Sequence, residues 1–96
     1  MRKKTWILLG MAVILSCSLV GCYKSSAMKA RAAADQMLSE LRTAGGAKLV
    51  PYEYTSAEKY LEVSDREFNE GDYKHSMNFA IQSKSIAESA LAEIKK

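Results

Sequence analysis

The stretch "FNEGDYKHS", residues 68–76, decides how the second half of the chain folds. Gly71 sits between two runs of helical periodicity and supplies a sharp corner. Asp72, directly after it, has the short acceptor side chain that caps the start of a following helix. A connection this short leaves two helices no arrangement but an antiparallel hairpin. Before the corner, Ala57, Leu61, Ser64 and Phe68 recur at steps of three and four, with Tyr60 beside them. This spacing predicts a helix over about 55–70. Thr55 followed three residues later by Glu58 resembles a capping box at its start. After the corner, Met77, Ala80, Lys84, Ala87, Leu91 and Ile94 predict a helix over about 73–94 with near-heptad spacing. Ile81 and Ala90 widen this stripe.

Upstream, "AMKARAAADQMLSELRTAGG", residues 27–46, predicts a further helix over about 27–43. Ala27, Ala30, Ala34, Met37 and Leu41 share one face, and alanine and leucine are strong helix formers. Ser26 is placed to cap its start, and Gly45-Gly46 to end it in a left-handed turn. Between it and the hairpin, "GGAKLVPYEYT" reads as a connection, because Pro51 cannot continue a helix and disfavours one at Val50. The expected fold is all-α: a signal helix, one alanine-rich helix and an antiparallel hairpin, in a small three-helix bundle.

The beginning of the chain has a different character. Arg2, Lys3 and Lys4 precede an apolar stretch, Trp6 to Val20, that closes on small residues and a cysteine. That is the layout of a cleaved secretory signal, and the stretch is short for a membrane-spanning helix, which needs about 20 residues. "LVGC", Leu19-Val20-Gly21-Cys22, resembles the bacterial lipobox. The resemblance implies a diacylglyceryl group on the Cys22 sulfur, cleavage between Gly21 and Cys22, and acylation of the new amino group. The expected organisation is therefore a signal peptide over 1–21, a lipidated cysteine and tether over 22–26, and a helical domain over 27–96. Cys17 leaves with the signal. Cys22 is consumed as a thioether, so no disulfide is expected in a compartment that would permit one.

The charge follows the same division. The whole chain has 14 Lys and Arg, 11 Asp and Glu and a net charge of +3. Removing Arg2, Lys3 and Lys4 brings the remainder to neutrality. The basic balance thus belongs to the precursor and gives no footing for nucleic-acid binding, which needs clustered excess positive charge.

No catalytic constellation is legible. His75 is the only histidine and stands in "DYKHS", where a solvated surface role accounts for it. Zinc-ligand spacing is missing, and Gly45-Gly46 lacks the lysine and hydroxyl of a phosphate loop. Glu58, Glu62, Asp65, Glu67 and Glu70 lie on one helix, where a solvated face paired with Lys59 and Arg66 explains them. The expectation is no enzyme, no cofactor and no metal. The aromatic residues Tyr52, Tyr54, Tyr60, Phe68, Tyr73 and Phe79 have two readings: core at the mouth of the hairpin, or a partner surface suited to tyrosine's apolar body and polar tip. The partner-surface reading names Tyr52, Tyr54, Tyr60, Tyr73 and Phe79.

The ordered set Pro51, Glu53, Ala57, Leu61, Gly71, Asp72, Tyr73, Ala80, Ala87 and Ala90 resembles a domain of short alanine-rich bacterial lipoproteins, spanning roughly residues 27–92. Some members of that family carry it in front of an OmpA-like peptidoglycan-binding domain. The resemblance implies an envelope role without naming one. The hairpin is also similar to a single tetratricopeptide repeat, although such repeats normally stack in threes or more. Three functions follow as expectations. The first is a lipid-anchored envelope module, structural or adaptor, held in the outer membrane facing the periplasm and bound to another envelope protein. The second is a self-assembling lipoprotein similar to murein lipoprotein, joined to peptidoglycan through Lys96. The third is a small ligand carrier or enzyme. For Lys95 and Lys96 the simpler reading is favourable placement of cations at a helix C-terminus.

Overall fold

The computed structural model describes the backbone of residues 2–96 and the side chains of residues 22–96. The chain is all-α, with four helices among the described residues: α1 (Arg2–Thr43), α2 (Gly46–Leu49), α3 (Pro51–Asn69) and α4 (Tyr73–Lys95). The side chains of the signal-like stretch, including Cys17 and Gly21, lie outside the described residues.

The hairpin corner closes as a Schellman motif. Asp72 N–H donates to the Glu67 carbonyl at 2.9 Å and Gly71 N–H to the Phe68 carbonyl at 3.1 Å. Two carbonyls at the end of α3 are thereby satisfied. Gly71 adopts φ 87°, a left-handed conformation that glycine takes without a Cβ clash. Asp72 then caps α4, its carboxylate accepting from His75 N–H at 3.3 Å.

Two expected boundaries move. Tyr23–Ser26 is not a separate tether: these residues belong to α1, which runs without a break through Cys22, so Ser26 is not its cap. The second shift is at α3, which begins at Pro51 rather than near Thr55. Proline at the first helical position loses nothing, since its missing N–H would have had no intrahelical partner, and its φ is already helical. Val50 before it is held outside helical geometry at φ −134° and ψ 63°, consistent with proline disfavouring helix at the residue it follows. Thr55 and Glu58 therefore lie within the helix, both exposed, and form no capping box. The expected connection shrinks to the single turn of α2.

α1 and α4 run parallel, α3 runs antiparallel to both, and α4 packs along both neighbours. Among the described side chains the buried hydrophobic residues are Ala27, Ala34, Leu38, Leu41, Ala57, Ala80, Ala87 and Ala90. Six of these are alanines, so the helices approach closely and each buries little area. Of the α4 stripe expected from the sequence, Ala80 and Ala87 are fully buried, and Leu91 lines a shallow hollow with Ser39 and Thr43 of α1. A second flank of α4 is Ser76, Ser83 and Ala90, and it meets α3.

There the seam is made by hydroxyls. Ser64 Oγ donates to the Ser76 carbonyl at 2.6 Å, and Ser76 Oγ to the Ser64 carbonyl at 2.7 Å. Two turns further along, Ser83 Oγ donates to the Ala57 carbonyl at 2.6 Å. The two sets share one antiparallel register. Each hydroxyl is fully buried and satisfied, as buried polar groups must be.

The end of α1 sets the return of the chain. Gly45 takes φ 87°. Gly46 is buried against Leu41: a Cβ there would stand 2.6 Å from Leu41 Cγ and 2.8 Å from the Leu41 carbonyl oxygen. Gly46→Ala is expected to destabilise the fold by about 1–2 kcal/mol through overpacking. Ala47→Gly, at an exposed position one residue on, is the control. Urea unfolding followed by circular dichroism measures both.

Candidate functional site

Two regions carry functional interest: the surface around Cys22 and the aromatic groove on the hairpin.

Cys22 is exposed, with a free thiol. It lies in α1 between one and two turns before Ala27, the first buried residue among those described. The hairpin corner is at this same end. Lys24 Nζ stands 5.9 Å above the Tyr73 ring, and Tyr73 meets Phe68 edge to face at 5.1 Å. Higher on the same side, Arg31 Nη2 pairs with Asp65 at 2.7 Å. Its guanidinium lies 4.2 Å from the Phe68 ring centre. The first turns of the described part of α1 are thus tied to both arms of the hairpin.

The aromatic residues named from the sequence divide. Tyr52, Tyr60 and Phe79 come together with Thr55, Ser56, Lys59 and Val63 around an open groove of about 280 Å³. Tyr60 and Phe79 stack at 6.1 Å with an interplanar angle of 25°, and Tyr52 is 80 % exposed. Tyr54 is elsewhere: it packs on the core around Leu38 and Leu41, and its hydroxyl accepts from Arg42 Nε at 2.8 Å. Tyr73 belongs to the corner. The sequence reading missed Val63 and Lys59 as groove residues. The spacing Tyr52, Ser56, Tyr60, Val63 puts them on one face, but only in a helix that already includes position 52.

His75 lies at the start of α4, exposed, with Nδ1–H donating to Asp72 at 2.8 Å. Its own side-chain and backbone hydrogen bonds to Asp72 hold that carboxyl below its ordinary 3.8. A depressed carboxylate stabilises the fold above its unfolded value and loses that contribution as pH falls through the folded one. The melting temperature is expected to drop on acidification below about pH 4, and less steeply in Asp72→Asn, which keeps the capping oxygen. Thermal melts between pH 2 and 7, taken as approximate limits, would show this.

Among the described residues no group of three or more His, Cys, Asp and Glu is placed to hold a metal ion. Of the carboxylates noted on α3, Asp65 is taken by Arg31 and Glu62 lies 3.6 Å from Lys59. Among the described residues no helix is long and apolar enough to cross a membrane. At the C-terminus, Lys96 pairs with Glu93 at 3.3 Å.

No curated protein and no solved structure matches the chain. Residues 29–96 match a family model described as a domain of unknown function, DUF4398. The match begins inside α1, two residues after the first buried position, and takes in every element of the bundle. The chain belongs to the DUF4398 family.

Proposed function

We propose that this protein is a lipid-anchored helical module of the bacterial envelope that acts by binding another envelope protein and performs no catalysis. The observation that carries the reading is the sequence "LVGC" at the end of a basic-then-apolar leader, residues 19–22. The exposure of Cys22 at one end of the bundle supports it, since the thiol is accessible to a modifying enzyme. Two or more acyl chains on one residue anchor stably, whereas one binds marginally. Tyr23 after the cysteine, rather than Asp, suits transfer to the outer membrane by analogy with enterobacterial sorting. The groove of Tyr52, Tyr60, Val63 and Phe79 supplies a surface of the kind partners use: aromatic, partly exposed and rimmed by a charge at Lys59.

The self-assembling alternative has less support. The near-heptad spacing of α4 and the terminal Lys95-Lys96 suggest it, and α4 packs against both α1 and α3 within the chain.

Growth with an alkyne analogue of palmitate tests the anchor. Label is expected on the wild-type protein and in the membrane fraction, with none on Cys22→Ala. Label persisting on Cys22→Ala, or an unmodified wild-type protein, would remove the reading.

A further inference from the structure

The absence of a separate tether has a geometric consequence. α1 is helical through Cys22, and Ala27 is already fully buried in the bundle. Even if cleavage after Gly21 frayed the first turn, five extended residues reach only about 17 Å. Whichever end of the bundle holds Ala27 therefore stays beside whatever holds Cys22. That end is the hairpin corner, as the contact of Lys24 with Tyr73 shows. The opposite end, with α2 and the C-terminus of α4, lies about 30 Å away along helices of roughly 20 residues.

We propose that the hairpin corner, with Tyr23 and Lys24, is a membrane-facing surface seated on zwitterionic phospholipid headgroups. The groove and the α2 end then project away from the bilayer. This rests on the lipid-anchor reading of Cys22. The chemistry of the corner suits an interface between oil and water. Tyr23 is 41 % exposed, and tyrosine rings settle at the headgroup level, with lysine stems reaching past them to water. The charges of the corner balance: Lys24, Arg66 and Lys74 stand against Glu67, Glu70 and Asp72. A surface without net charge gains little from anionic lipid and is not repelled by it. Its seating comes from the anchor and the ring contacts, and is insensitive to salt.

The orientation leaves Tyr52, 80 % exposed, and Leu49, 61 % exposed, on the part of the molecule farthest from the lipid. A partner approaching from the aqueous side meets these residues first.

The test uses the full chain produced in a bacterial host that processes lipoproteins. The purified protein is checked by intact mass and placed in vesicles of phosphatidylethanolamine with a minor share of phosphatidylglycerol. A fluorophore is attached at Lys74→Cys, beside the corner, or at Ala92→Cys, near the far end; both positions are exposed. Nitroxide carried on lipid headgroups is the quencher. Strong quenching at position 74 is expected, with severalfold weaker quenching at 92, and the contrast should persist in high salt. Equal quenching of the two positions on a protein whose mass carries the acyl chains overturns the orientation alone. A mass without acyl chains overturns the anchor, and the orientation with it.

Discussion

Leu41→Ala is expected to lower the unfolding free energy by about 2–5 kcal/mol, the largest effect of any single truncation among the described side chains. The reason is the composition of the core. Only Leu38 and Leu41 among its buried hydrophobic members are larger than alanine, and Leu41 is fully enclosed. It lies under Gly46, at the point where the chain turns back, within a cluster that includes Ala57, Ala87 and Ala90. Alanines cannot reach across to refill the space, and the backbone at Gly46 is held by its own one-turn helix. In a domain of this size about 1 kcal/mol moves the melting temperature by roughly 4–8 °C, so a drop of about 8 °C or more should be seen by circular dichroism. Ile81→Ala, at a position 51 % exposed, should stay within about 0.5 kcal/mol. A loss below about 1 kcal/mol for Leu41→Ala would contradict the enclosure described for that residue.

Ala80→Leu should be the most damaging enlargement, near the upper end of the roughly 1–3 kcal/mol that overpacking costs. Ala80 is fully buried on α4, between Ser76 and Ser83. A longer side chain forces the helices apart and stretches the hydroxyl contacts on either side. Those contacts, at 2.6 and 2.7 Å, tolerate little separation before the hydroxyls are left buried and unpaired. The control is Ala92→Leu on the exposed face of the same helix, where the effect should be close to zero. Chemical unfolding of both variants, with backbone amide exchange at the seam, measures the difference. Equal stability of the two would mean the seam is looser than its hydrogen bonds imply.

Much of the architecture was legible before any coordinates. Gly71 and Asp72 announced the corner, and Gly45-Gly46 the end of α1, because only certain residues tolerate left-handed backbone or supply a cap. The α4 stripe was half legible. Met77, Ala80, Lys84, Ala87 and Leu91 stood out by period, but Ser76 and Ser83 did not, since a serine read alone looks like a surface residue. Pro51 marks a helix start rather than a barrier: the same ring that forbids helix interior suits the first turn. That difference carries over to the groove, because Tyr52 joins Tyr60 and Val63 only when α3 begins before it.

The sequence alone determined the local events of this protein: the three main helical segments, where two of them end, how the hairpin turns, and which cysteine meets the pattern for a lipid anchor. These depend on backbone preferences and on residues a few places apart. Only the tertiary structure decided which faces meet. It turned serines into the hydroxyl seam of the hairpin, separated Tyr54 and Tyr73 from Tyr52, Tyr60 and Phe79, and brought the corner to the end that carries Cys22. Those outcomes depend on how three helices with shallow alanine faces pack together, and contacts between residues far apart in the chain leave no periodic mark within any one of them.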